Sequence, residues 1–318
     1  MSTGKKIIRI FSTNGILLPF LIIFIGFSVA SNNFLTASNI LVILRQSVFF
    51  MVLGFGMTYV IAMGGIDLSV GAVMGITGLF AAELIMMGVN IYLAIVLTVV
   101  FGMVIGLGNG LLVAKVKVPD FIATLGTMSV LRGLIYVRTR GIPVYGLNFP
   151  EFQFFGQGYI GPIPFPIIVT ILVFAVLYYV LRKTKFGRYT ISIGSNIEAA
   201  KLVGIKTDKM KILVYILCGV CCAISGILQT SRIETAVATA GQGYEMDAIA
   251  SAVLGGTSLT GGKANLIGTA AGAVLMATIR NGLNLLNVSS YWHQVVIGAF
   301  ILLAVAIDNF SKKRLEVE

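Results

Sequence analysis

The stretch that first suggests chemistry is the glycine-rich run GGTSLTGGKA, Gly255 to Ala264. A phosphate-binding loop needs Gly, four residues, then Gly-Lys-Ser/Thr, because backbone amides wrap the phosphates while the last hydroxyl holds magnesium. Counted back from Gly262-Lys263, the position that should be glycine is Thr257, and Ala264 has no hydroxyl to offer a metal. The run therefore does not read as a nucleotide site.

It has a twin. GGIDLSVG, Gly64 to Gly71, aligns without a gap with GGTSLTGG, Gly255 to Gly262, pairing Asp67 with Ser258 and Ser69 with Thr260. Gly-interrupted apolar segments repeated in two halves of a membrane protein point to discontinuous helices beside a substrate path. Gly65, Asp67, Ser69, Gly256, Ser258 and Thr260 are accordingly candidates for the path or its gate. The alternative is a pair of tight cytoplasmic turns with polar caps. A carboxylate at membrane depth is costly and a functional candidate, although Asp67 would also serve as a cap for a helix starting at Leu68. Glu83, Glu245 and Asp247 raise the same question. Both motifs face the same side, so a simple inverted repeat does not describe them.

Other reactive residues point to less. Cys218, Cys221 and Cys222 share one helix face by i, i+3 and i+4 spacing. With one histidine in the chain and no acidic residue near these thiols, they read as small core-filling side chains. Trp292 and His293 read as an interfacial anchor. With no HExxH pair and no nucleophile elbow, the sequence is not that of an enzyme.

The elements that must position these residues lie in a membrane. The 318 residues are 57% hydrophobic and 11% charged, with a mean hydropathy of +0.97, against about 25% charged in soluble proteins. At about 20 apolar residues per span there is room for roughly ten crossings and no sizeable soluble domain. Apolar segments fall at 15–30, 40–63, 68–87, 91–114, 121–137, 165–181, 212–230, 244–254, 265–286 and 292–307, the eighth being short. The expected fold is all-α: one polytopic domain over 1–318, about ten transmembrane helices, some discontinuous. With both termini cytoplasmic, Lys and Arg concentrate in the termini, 115–117, 182–211 and Lys263, leaving only Arg45, Arg138, Arg140 and Arg232 outside. The net charge of +11 is thus topology and lipid attraction rather than nucleic-acid binding. Ser28-Val29-Ala30 fits a signal-peptidase site, but cleavage would put the basic loops on the wrong face, which favours a retained anchor. Gly102, Gly106 and Gly110, like Gly71 with Gly75 and Gly268 with Gly272, recur every four residues and predict close internal helix packing.

The longest cytoplasmic segment, Arg182 to Lys211, predicts a short helix, Asn196 to Val203. Ser195 and Glu198 have capping-box spacing and Gly204 supplies a left-handed stop. So short a helix must rest on something. A partner's groove, reached by Ile197, Ala199, Ala200, Leu202 and Val203, and the bilayer surface both remain open.

Taken together, GMTYVIAMGGIDLSVG (56–71), FIATLGTMSVLRG (121–133), GRYTISIGSNIEAAKLVGI (187–205), GYEMDAIASAVLGGTSLTGGKANLIGT (243–269) and NGLNLLNVSSYW (281–292) resemble the membrane subunit of bacterial ribose-type ABC importers, in the branched-chain amino acid/ribose permease family. The resemblance spans nearly the whole chain. It implies a permease homodimer in the bacterial inner membrane, an ABC ATPase inside and an extracytoplasmic sugar-binding protein outside. It implies no cofactor in this chain, ATP and magnesium being held by the ATPase. It also implies that Asn196 to Gly204 is the coupling helix, with Ser195, Asn196, Glu198, Ala199, Ala200, Leu202 and Gly204 as contact residues. Ribose is the first expectation, other pentoses and hexoses following. Val137 to Pro164 departs most from the ribose carriers, which bears on the sugar and the receptor's docking face. From another class, a proton- or sodium-driven carrier would use Asp67, Glu83, Glu245 or Asp247 for coupling.

Overall fold

The computed structural model describes residues 17–289, 291–300 and 302. The basic residues Lys5, Lys6, Arg9, Lys312, Lys313 and Arg314, the start of the first apolar segment and the end of the tenth lie outside the described residues. The chain runs through α1 (Leu17–Ala30), α2 (Ala37–Ala62), α3 (Val70–Met86), α4 (Ile91–Ala114), α5 (Asp120–Thr139), α6 (Pro150–Gln157), β1 (Tyr159–Ile160), β2 (Ile163–Pro164), α7 (Phe165–Lys183), α8 (Lys185–Ser195), α9 (Ile197–Leu202), α10 (Thr207–Ile233), α11 (Tyr244–Leu254) and α12 (Leu266–Leu285). A further helical stretch occupies 291–300.

Where they are described, all ten apolar segments are largely helical, but among the described residues only α2, α4, α5, α7, α10 and α12 are long and apolar enough to cross a membrane. α3 has 17 residues and α11 has 11. At 1.5 Å per residue these reach about 25 and 16 Å, short of a hydrocarbon core about 30 Å thick. Non-helical chain precedes each of them, 63–69 before α3 and 234–243 before α11. The sequence predicts helix from 68 and misses that extent, because Leu68 and Ser69 are apolar and small enough to fit a helix pattern.

α2, α10 and α12 are enclosed over most of their length, while α4, α5 and α7 keep most of theirs at the surface. On α4, Leu93, Val96, Val100, Val104, Leu107 and Leu111 are exposed, an apolar face suited to lipid. Its other face carries the predicted glycine stripe. A Cβ at Gly102 would collide with Gly219, one at Gly106 with Tyr215, and one at Gly110 with Ile212, so the α4 and α10 backbones touch. α2 and α12 are fastened at two levels. Buried Asn39 and Asn281 exchange side-chain hydrogen bonds of 3.0 and 2.8 Å, and Thr58 meets Thr269 at 2.7 Å. α1 packs on the same assembly: Phe24 and Phe27 stand 5.2 and 5.8 Å from Phe34, and the Phe27 ring covers Gly282.

The divergent segment 137–164 folds as α6, with Pro150 in its first turn, and as a hairpin turning at Gly161 (φ +58). α6 and the loop before it cap the end of α10. Ser231 Oγ donates to Phe152 O at 2.5 Å, Val144 bridges Ala236, and Gly156 lies too close to the Arg232 backbone for any side chain.

Candidate functional site

After α2 the chain turns at Gly64, whose φ of +88 only glycine adopts without strain. Gly64 N donates to Ile61 O (2.8 Å) and Gly65 N to Val60 O (3.0 Å), closing the helix. From there the backbone depends on other elements. Ile66 N donates to Asp120 Oδ2 at 2.6 Å, and Leu68 N to Thr124 Oγ1 at 3.1 Å. Asp67 Oδ1 accepts from Ser69 N (2.8 Å) and Ser69 Oγ (2.6 Å). Asn109 Nδ2 donates to Ser69 Oγ at 2.9 Å and accepts at Oδ1 from Thr127 Oγ1 at 2.6 Å. Asp67 is 4% exposed and Ser69 fully buried. Irregular backbone at membrane depth persists only where protein satisfies its polar groups, and α4 and α5 do so here. Gly65 leaves room for the Asp120 carboxylate, which would stand 3.0 Å from an added Cβ.

After α11 the same closure recurs. Gly256 has φ +89, Gly256 N donates to Val253 O (2.9 Å) and Thr257 N to Ala252 O (3.0 Å). The cap is shifted one residue from the gapless alignment: Gly64 corresponds to Gly256. Beyond it this loop satisfies itself. Ser258 Oγ and Thr260 Oγ1 lie 2.8 Å apart. Asn265 takes both ends, its N donating to Thr257 Oγ1 (3.2 Å), its Nδ2 to Gly255 O (2.8 Å), and its Oδ1 capping α12 through Gly268 N (3.1 Å). Gly256 and Thr260 are exposed and Ser258 half-buried. The two loops lie at one end of the molecule, joined where Gly262 N donates to Ala62 O at 2.9 Å. Among the described residues no hydrogen bond joins the Asp67–Ser69 and Ser258–Thr260 pairs.

Beside that junction stand α8 and α9. Thr184 ends α7 by donating to Val180 O and caps α8 by accepting from Gly187 N. α8 buries Gly187, Thr190 and Ile193. Its spacing of Phe186, Tyr189 and Ile193 is a helical signal the sequence reading did not use. α9 is Ile197–Leu202, shorter than predicted, and its cap is Asn196, whose Oδ1 accepts from Ala199 N at 3.0 Å. The expected capping box does not form: Ser195 Oγ donates back to Ile191 O (3.0 Å), and Glu198 pairs with Lys201 (2.8 Å). Asn196, one position later, already closes the N-terminus, so Ser195 stays in α8. Gly204 does supply the stop, at φ +80, with Gly204 N on Lys201 O and Ile205 N on Ala200 O. Ala200, expected among the residues that reach a partner's groove, is buried, and its carbonyl accepts from Ile205 N in the returning chain. Glu198 and Ala199 are exposed. Leu202 and Val203 are 89% and 76% exposed, an apolar tip with no cover.

Comparison with known proteins decides the class. The family model for the permease component of branched-chain amino acid transport systems matches residues 39–305. The chain belongs to that family. This permease is 46% identical to the ribose import permease protein RbsC of Bacillus subtilis (strain 168), over 92% of each chain. It is 43% identical to the protein of the same name from Escherichia coli (strain K12), again over 92% of each. The D-allose transport system permease protein AlsC of Escherichia coli (strain K12) is 38% identical over 90% of this chain and 88% of its own. No solved structure matches. These relatives are transport permeases, not enzymes, and this permease is a multi-pass helical membrane protein like them.

The permease neutralises two of its candidate carboxylates. Arg280 NH2 lies 2.5 Å from Asp247 Oδ2, fully buried, while its guanidinium lies 5.5 and 5.4 Å from the Phe50 and Tyr244 rings. Arg138 Nε meets Glu83 at 2.8 Å. Glu245 is half-buried against Gly71, and Arg132 nearby donates to Ala240 O at 2.6 Å. Asn109, Asp120, Thr124 and Thr127, which hold the first loop, were not among the sequence candidates. Polar residues recurring inside otherwise apolar segments are the signal that marks them. Cys218, Cys221 and Cys222 are buried thiols, the first two packed against Gly56. Trp292 is exposed, and His293 turns inward toward Val288 O.

Proposed function

We propose that this permease is the membrane subunit of an ATP-driven importer of ribose or a similar monosaccharide in the bacterial inner membrane. Identity of 43–46% to two ribose import permeases over 92% of each chain carries this reading. The allose permease is further away at 38%, which favours ribose. The chain acts as one domain over 1–318, with about ten crossings, both termini cytoplasmic, and the path formed with a second copy. It holds no cofactor of its own. ATP and magnesium sit in a separate ABC ATPase, and an extracytoplasmic sugar-binding protein delivers the sugar.

The exposed apolar tip of α9 supports the ATPase contact. Leu202 and Val203 project beyond a buried Ala200, a shape that fits a partner's groove, with Glu198 and Ala199 on the exposed side and Ser195, Asn196 and Gly204 setting the pose. Closure of the ATPase pair moves these tips and the permease alternates its opening between the two sides. Gly65, Asp67, Ser69, Gly256, Ser258 and Thr260 then belong to the elements that shift around the path. Burial of Asp67 and Ser69 favours a positioning role for them over direct contact with sugar.

Co-purification with the ATPase encoded beside this chain tests the reading. The native chain should retain the ATPase, and Leu202→Asp should lose it at least tenfold while eluting as a folded protein. A native chain that retains no ATPase, or a variant that retains it equally, would remove the docking assignment.

A further inference from the structure

The end of α8 carries the α9 tip, and it is seated without clearance in the junction of the two glycine loops. A Cβ on Gly194 would collide with Ala62 O and stand 2.6 Å from Gly262 N. Gly261 would meet Gly194 O at 2.7 Å and its Cα at 2.9 Å. Gly262 would meet Ser195 Oγ at 2.6 Å. Gly261 and Gly262 both hold positive φ, +83 and +77, a conformation that suits residues without a side chain at this contact. The hydrogen bond from Gly262 N to Ala62 O ties the same point to the end of α2. Three chain segments therefore meet largely backbone to backbone, with the short Ser195 side chain beside Gly262 and no long side chain among the nearest atoms to absorb a displacement.

What lies behind this contact is stiff. α2 and α12 are linked by Thr58–Thr269 near this end and by Asn39–Asn281 near the other. Gly54 also packs closely on Thr269. Packed interiors transmit displacement instead of dissipating it.

We propose that Gly194–Ser195, Gly261–Gly262 and Ala62 form a rigid joint that passes motion of the α9 tip into the linked pair α2 and α12. Docking on the ATPase and transmission into the membrane are then separate functions, the first in Leu202 and Val203, the second in Gly194. The inference rests on the ATP-driven reading above. Gly194 is a positioning residue: it touches neither sugar nor nucleotide.

The test uses the full complex of permease, ATPase and sugar-binding protein in proteoliposomes, measuring complex formation, ATP hydrolysis and ribose uptake together. Gly194→Ala should keep the ATPase bound and hydrolysing while sugar moved per ATP falls at least fivefold. Uptake per ATP within twofold of native would overturn the joint. If Gly194→Ala does not fold, the pair Ser195→Cys with Gly262→Cys takes its place. An added Cβ at Gly262 stands 3.3 Å from Ser195 Cβ, close to the 3.5–4.5 Å of disulfides. A joint that moves as one body gives the oxidised pair at least half the uptake of the same pair when reduced. Uptake abolished by oxidation and restored by reductant would show that the two sides must separate, and would overturn the proposal. Absence of ATP-dependent uptake by the native complex would instead strike the ATP-driven reading itself.

Discussion

The loop after α2 and the loop after α11 end their helices with the same two hydrogen bonds around a glycine near φ +88, and then part company. In the first, Ile66, Leu68 and Ser69 are held by Asp120, Thr124, Asp67 and Asn109, so three elements share one buried network. In the second, Ser258, Thr260 and Asn265 satisfy the chain locally, and Gly261 and Gly262 stay bare against α8. A similar eight-residue pattern thus serves as an anchored strut inside the protein and as a contact surface at its edge. Side chains supplied from elsewhere make the difference.

The largest effect that would sharpen this contrast is at Asp67. Asp67→Ala leaves the buried Ser69 amide without its acceptor and should cost about 2 kcal/mol, read as a shift in detergent-titration unfolding. A cost below about 0.5 kcal/mol would mean that the first loop is as self-sufficient as the second. Next come the shared caps. An added Cβ meets nothing within 4 Å at Gly64 and only Asn265 Nδ2 at 3.7 Å at Gly256. Gly64→Ala and Gly256→Ala should therefore cost about the same, roughly 1 kcal/mol each, from left-handed strain alone. Costs differing by more than about 1 kcal/mol would break the equivalence of the caps. The smallest effect belongs to Ser258→Ala. Its hydroxyl bonds only an exposed neighbour, so stability should move by less than about 0.5 kcal/mol, and a larger loss would show that Ser258 is anchored as Asp67 is.

Much of this could be read from residue types. Glycines spaced by four announced that α4 packs closely on a neighbour, because only a missing side chain lets two helix backbones touch; that the neighbour is α10 comes from the structure. The family resemblance covered almost the whole chain and agrees with the relatives found. Gly204 marked the end of α9 correctly, since few other residues hold a left-handed stop. The other end was misread because Ser195 and Asn196 both fit a cap, and the choice between them depends on how far α8 extends. Asp247 looked like a lone intramembrane carboxylate since its partner, Arg280, is 33 positions away. Asp120 serves Ile66 across 54 positions. Local spacing carries no record of such partners, and it is these long-range pairs that separate the two loops.

One measurement bears most directly on the account: ribose uptake into proteoliposomes holding this chain, driven by ATP with the ATPase and sugar-binding protein present, or by a proton or sodium gradient without them. On the ATP-driven reading the gradients should drive nothing above background, and uptake should require ATP inside together with the ATPase. Gradient-driven uptake by the chain alone would contradict the account and return the carboxylates to the centre of the mechanism.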